Sequence, residues 1–329
     1  MKTTHLSAIS AIFITATAAN CARGEQPVFA KPGEAAEHPH FGVVGEFVGH
    51  AADDGKWGLQ VNSGHDGLYG ILYPGGLPGA GWDPESDDLI EVEGGMEDGV
   101  AELTGEDAPV LRFHDGMFQM LTESGEVAGG LEKTGRVSPT MGLEPPDGAV
   151  VLFDGTNMDA WAEHRGMTDD GLKIEGGRTA REFGDMRLHL EFRLPFMPAH
   201  EGQRRGNSGV YIMNRYEVQI LDTFARKATF NGMGSLYREK APKVNMCLPP
   251  LAWQTLDIDF RAPRFDGDGE KTENARITVH HNGVLIHDDY ELESGTGMGG
   301  RRPEVEKAML WLQNHTGPVR FRNVWLVEP

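Results

Sequence analysis

The stretch Gly206–Asp222, GNSGVYIMNRYEVQILD, alternates apolar with polar and charged residues in two runs separated by Met213-Asn214-Arg215. Successive side chains of a strand point to opposite faces, so this period of two predicts a β-hairpin with one face in a core and the other lining a cleft. In the second run Tyr216, Val218 and Ile220 form the apolar set. Glu217 and Gln219 then lie side by side on the other face, about 6.5 Å apart at roughly 3.3 Å per residue. Such a pair offers a sugar-sized polar surface.

The same pattern extends in both directions. Across 329 residues, 44 glycines and 19 prolines punctuate short apolar runs, and stretches with helical period are scarce, which predicts an all-β protein. Toward the N-terminus, strand-like pieces are read at Phe41 to Val48, Trp57 to Asn62, Leu68 to Tyr73, Leu89 to Glu93, Val110 to Phe113, Gln119 to Leu121 and Leu131 to Lys133, separated by Gly-rich turns. These define a small β-rich domain over residues 28–135. The Pro- and Gly-rich RVSPTMGLEPPDG at 136–148 reads as a linker, and a second domain follows over 149–329. There the number of strand-like runs, with hairpin signals such as His281-Asn282-Gly283-Val284, predicts a two-sheet jelly-roll sandwich. The loop PGGLPGAGW at 74–82 reads as a rigid surface loop or lid.

Charge and termini narrow the class of function. A net charge of −20 repels nucleic acid and anionic lipid, so neither is an expected partner. Lys2 precedes the apolar run Leu6–Ala19, which ends in Ala16-Thr17-Ala18 and reads as a signal peptide over residues 1–19, too short for a membrane span. The expectation is export to the periplasm or the exterior. A lipid anchor on Cys21 is disfavoured because Asn20 stands where a small residue is wanted. Cys247 is the other cysteine, and no CxxC spacing points to zinc or redox chemistry.

Six ordered segments, VLFDGTNMDAW, LHLEFRLP, GNSGVYIMNRYEVQILD, AWQTLDIDFRAP, ARITVHHNGVLIHD and GPVRFRNVWL, resemble the 3-keto-disaccharide hydrolase family. The resemblance covers about half of the chain, from Gly148 to Pro329, and implies a fold similar to the concanavalin A-like lectins and glucanases. It also implies a carbohydrate substrate. A 3-keto group acidifies the hydrogen on C2, so a base can remove that proton and expel the C1 substituent, after which water adds. The chemistry needs a base near C2, an electrophile or cation near the 3-oxygen, and an acid for the leaving oxygen.

With that requirement, Glu217 is the expected base, and Glu191 and His315 complete the acid and base pool. Glu191 alternates with His189 and Arg193 in one strand, so the three share a face, an arrangement suited to binding polyols. His315 ends a strand two residues after Gln313. Gln219, Tyr211, Asn207, Arg193, Asp222, Lys240 and Gln313 are the expected substrate-binding residues: Tyr211 as a stacking platform, Asp222 as a rim ligand or turn cap, Lys240 as a cation over the cleft. A divalent ion is left open, since ligands drawn from separate strands leave no sequence signature. Asp266-Gly-Asp-Gly-Glu270 is too short for an EF-hand loop and reads as a hairpin tip.

Two classes of function compete. One is an exported enzyme cleaving 3-keto-glycosides, and the other is a non-catalytic, lectin-like glycan-binding domain. Glu217 and Glu191 on opposite faces of the sandwich would favour the second.

Overall fold

The computed structural model describes residues 26–329 except 52–54 and 87. The leader and Cys21 lie outside the described residues. Two β-structures follow one another along the chain.

The first is a closed barrel of eight antiparallel strands: Gly45–Ala51, Lys56–Gly64, Gly67–Pro74, Ile90–Glu97, Val100–Thr104, Val110–His114, Met117–Leu121 and Val127–Thr134. Each strand pairs with the next, and the last closes on the first, with Phe47 opposite Lys133. Closure removes the sheet edges that would otherwise expose unpaired backbone. Phe47, Leu59, Val61, Leu103, Leu111, Phe118 and Leu131 are fully buried and fill the interior, with the Phe47 and Phe118 rings edge-on at 4.9 Å. A barrel this small is a packed core. Val100–Thr104 is a strand the sequence reading did not find, because its five residues are too few to show a decisive period.

The second structure is a sandwich with one hydrophobic core. Its larger sheet orders Val150–Phe153, Arg320–Val327, Met186–Arg193, Trp253–Arg261, Ala275–His281 and Val284–Leu292, with Lys173–Ile174 added beside Arg320–Val327. The smaller sheet orders Trp161–His164, Gly177–Phe183, Ala308–Leu312, Asn207–Ile212 and Tyr216–Leu221. Leu188, Leu190 and Phe192 from one sheet meet Val210, Ile212, Val218, Ile220, Leu310 and Leu312 from the other. The expected Asn-Gly hairpin is present: Asn282 and Gly283 have φ of 50° and 77°, as a type I′ turn requires, between His281 and Val284. The Asp266–Glu270 segment is a hairpin tip, with the Asp266 carboxylate accepting from the backbone N–H groups of Asp268 and Glu270 at 3.0 Å each.

The segment at 136–148 lies along the outer face of the larger sheet. Ser138 Oγ is 2.6 Å from Thr255 Oγ1, Thr140 Oγ1 donates to Asp257 at 2.7 Å, and Trp325 Nε1 donates to Leu143 O at 3.2 Å. A second tie runs from barrel to sandwich. Arg205 and Asp222, both buried, form a two-pronged ion pair at 2.9 and 2.6 Å. Arg205 also donates to Ser63 O at 2.7 Å, and Asn62 donates to Asp222 at 3.3 Å. The Gly-rich loop at 74–82 docks as well: Leu77 is buried, and a Cβ on Gly79 would stand 2.9 Å from Met246.

Candidate active site

The Asn207–Ile212 and Tyr216–Leu221 hairpin forms as its alternation predicts, turning on Met213 and Asn214 with φ of 52° and 54° and an Arg215 N to Ile212 O bond of 3.0 Å. Tyr216, Val218 and Ile220 enter the core, so Glu217 and Gln219 lie on the opposite, outer face of the smaller sheet. Cross-strand register then assembles a row. Arg178 stands opposite Trp311, Trp311 opposite Tyr211, and Tyr211 opposite Glu217. The next row holds Gln313, Gly209 and Gln219, since Gln313 N donates to Gly209 O and Gly209 faces Gln219. Asn207 follows, bridged to Thr316 on one side and paired with Leu221 on the other.

Glu217 is 2% exposed, beneath loops that carry Tyr237 and Gly297. Tyr211 donates its hydroxyl to Glu217 Oε2 at 2.6 Å, and the Glu217 backbone N–H is held by Thr296 Oγ1 at 2.7 Å. Gly209 makes room for the other oxygen, because a Cβ there would sit 2.5 Å from Oε1. Burial drives the Glu217 carboxyl up to about 7, against the Tyr211 hydrogen bond, which pulls it down. Tyr211, pushed upward first by burial and then by the neighbouring carboxylate, keeps its proton. Its ring lies 4.3 Å from that of Trp311, over which Arg178 sits at 4.9 Å.

Three amide oxygens on this face, Asn207 Oδ1, Gln219 Oε1 and Gln313 Oε1, are buried without a hydrogen-bond partner in the protein. Their nitrogens are engaged. Asn207 Nδ2 donates to Gln203 O at 3.0 Å and Gln203 Oε1 at 3.1 Å, Gln219 Nε2 reaches Gln203 Oε1 at 3.4 Å, and Gln313 Nε2 reaches Tyr211 OH at 3.5 Å. A buried acceptor left unpaired costs roughly 1–3 kcal/mol, so this face suits an occupant rich in hydroxyl donors.

The other expected site residues fall elsewhere. Glu191 points out of the larger sheet, on the far side of the sandwich from Glu217, because Leu188, Leu190 and Phe192 take the core positions of its strand. It is buried by the 136–148 segment and accepts from Gly142 N at 2.6 Å, Arg322 at 2.6 Å and Asn323 at 2.9 Å. Burial pushes its carboxyl up, but bonds from His189, Asn323, Arg322 and Gly142 outweigh burial and hold it at about 2. Glu191 is an anchor for that segment and lies outside the Glu217 row. Arg193 shares that outer face and stacks on Trp253 at 5.0 Å. Asp222 caps a turn through Phe224 N at 3.2 Å and binds Arg205, so both of its oxygens are engaged within the protein. His315 is exposed, its Nδ1 turned to Thr316 Oγ1 at 2.8 Å, one residue before the bridge that Thr316 makes to Asn207. Lys240 is exposed in a loop, where its charge helps to hold the buried His287 below the usual imidazole range, after burial itself.

Gln203, Tyr237 and Thr296 escaped the sequence reading because they reach the row from separate loops. Trp311 did carry a signal, its alternation with Gln313. Among the described residues no group of three or more His, Cys, Asp or Glu is placed to hold a metal ion, and Cys247 is a buried free thiol.

If Glu191 serves as an anchor, Glu191→Ala lowers stability while leaving turnover within about threefold of wild type, since it removes a buried partner of Arg322 and touches nothing in the Glu217 row. Urea unfolding and steady-state kinetics on the same preparation check this. The loss of stability fades toward pH 2: a carboxyl depressed in the folded state stabilises above its ordinary value of 4.5 and ceases to as pH falls through 2.

This arrangement, a β-sandwich bearing a buried carboxylate amid amide and aromatic side chains, is that of a carbohydrate-related protein, and comparison identifies the family. Residues 148–327 match the model of the 3-keto-alpha-glucoside-1,2-lyase-like domain, and the chain belongs to that family. A candidate glycosyl hydrolase from Parabacteroides distasonis is 31% identical, with a TM-score of 0.51 over 56% of this chain and 85% of that one. A second from the same organism is 15% identical, covering 56% of this chain and 94% of its own, with a TM-score of 0.42. No curated protein matches the chain.

Proposed function

We propose that this protein is an exported enzyme that cleaves 3-keto-glycosides by elimination across C1 and C2 followed by hydration, with Glu217 as the base. The observation that carries this reading is the Glu217 carboxyl itself, buried, poised at about 7 and bonded to the Tyr211 hydroxyl. A base near neutrality is best matched to proton abstraction at ordinary pH.

The steps balance as follows. Glu217 takes the C2 proton, and the electrons of that bond form an enolate with the 3-oxygen. The ketone re-forms as a C1–C2 double bond is made and the C1–O bond breaks, the leaving oxygen taking up a proton. Water then adds at C1 and a proton returns to C2. Tyr211 fixes the Glu217 carboxylate, and the amide oxygens of Asn207, Gln219 and Gln313 accept from sugar hydroxyls. The leader-like residues 1–19 support export.

The test compares a 3-keto-disaccharide with its unoxidised parent. Release of monosaccharide from the first and none from the second is the expected result, whereas equal cleavage of both would remove the ketone from the mechanism. Tyr211→Phe deletes the hydrogen bond that lowers the Glu217 carboxyl, so the acidic limb of kcat/KM moves to higher pH. Activity at pH 7 then drops roughly tenfold and partly returns by pH 8.5.

A second reading, a glycan-binding sandwich without turnover, draws on the placement of Glu191 and Glu217 on opposite faces. It expects tight binding of an ordinary oligosaccharide over the Trp311 and Tyr211 rings with no product formed.

A further inference from the structure

The strand that carries Glu217 continues through Gln219 to Leu221, four residues and about 13 Å further on. There it meets a cavity of 360 Å³ between sandwich and barrel, within the roughly 300–1,000 Å³ of small-molecule sites, which favour domain interfaces. Two residues belong to both places. Leu221 is on the Glu217 face and also lines the cavity, and so does Gln203, whose side-chain oxygen accepts from Asn207 and Gln219. The far wall is Tyr69, from the barrel strand Gly67–Pro74, with the Arg226 guanidinium stacked on its ring at 3.5 Å. Beyond that wall a second cavity of 410 Å³ opens on the barrel rim, sharing Tyr69, Glu201 and Arg226 with the first and adding Asp66 and Glu93.

We infer that these connected cavities bind the leaving-group glycan, and that the barrel domain completes the substrate site by supplying Tyr69. A glycoside with its C2 at Glu217 extends its leaving group over Leu221 into the first cavity and, when longer, past Tyr69 to the second. The chemistry of the walls fits a neutral oligosaccharide. The Arg226 guanidinium covers the Tyr69 ring, and each cavity sets cations against carboxylates, Arg226 and Lys227 with Glu201 in the first and Arg226 with Asp66, Glu93 and Glu201 in the second, so hydroxyls find both donors and acceptors. Lys227 is itself paired with Glu91 at 2.7 Å.

This inference rests on the proposed 3-keto-glycoside cleavage, and two substrates separate its fate from that of the parent reading. The full chain, wild type, Arg226→Ala and Tyr69→Ala, is assayed on a 3-keto-glycoside with an oligosaccharide leaving group and on the methyl 3-keto-glycoside, whose leaving group is too small to reach the cavity. The expected result is a drop of about tenfold or more in kcat/KM for the oligosaccharide substrate with the methyl substrate unchanged within twofold. Arg226 is exposed, so its removal leaves the fold intact even where loss of Tyr69 loosens the interface, and melting midpoints are recorded for both. Equal losses on the two substrates, or no loss on either, overturn the subsite. A wild-type protein inert on both overturns the cleavage reading, and the inference with it.

Discussion

Glu217→Gln lowers kcat by about 10³-fold and changes KM by less than about threefold, because the amide keeps the shape of the side chain but cannot accept the C2 proton. In the wild type, kcat/KM rises with pH through about 7 and levels off, since the base works only when ionised. The same substitution acts on stability with the opposite sign. The Glu217 carboxyl is raised from 4.5 to about 7 in the folded state, so folding binds extra protons between these values. Its contribution is fully present below 4.5 and is lost as pH rises through 7, a change of about 3 kcal/mol by pH 8. Gln carries no charge at any pH, so Glu217→Gln melts above wild type at pH 8 and close to it at pH 4.5. A variant that retains turnover, or melting curves whose separation does not change with pH, would remove Glu217 from this role. A stability gain paired with lost turnover is the signature of a group strained for function.

Asp222→Ala is the substitution expected to damage the fold most. Side chains of Arg205 and Asp222 are 3% and 0% exposed, and removing the carboxylate leaves the buried guanidinium without its counter-ion, at a cost of about 3–5 kcal/mol. Asn62 and Ser63 of the barrel bond to the same pair, so barrel and sandwich loosen together. Replacing both partners at once, Arg205→Met with Asp222→Leu, is far milder than either change alone, since no buried charge is left unpaired. Denaturant unfolding of the two single variants and the double variant measures this, and additive losses would show that the pair is not coupled.

Much of this molecule is legible along the chain because a period of two is a local property. The Gly206–Asp222 alternation announces its hairpin and sorts Glu217 from Val218, and Asn282-Gly283 announces another through the positive φ that a tight turn demands. Short strands are harder. Val100–Thr104 went unread because five residues show too little of a period, and Gly177–Phe183 because a strand rich in charged residues looks like a loop when its partner, Ala308–Leu312, is distant in sequence. The limit is clearest at Glu191 and Glu217. Both are carboxylates in alternating strands, and nothing local tells which outer face each will meet.

The sequence by itself determined an all-β chain, the hairpin, the face on which Glu217 and Gln219 stand, and the resemblance to a 3-keto-sugar family. Tertiary structure alone decided what surrounds each polar face. Packing the 136–148 segment over the larger sheet made Glu191 a well-bonded anchor, while Tyr237 and Gly297 closed over Glu217, whose one side-chain donor among the described residues is Tyr211. The physical reason is that a carboxylate becomes base or strut through its desolvation and its donors, and those come from residues far away in the chain.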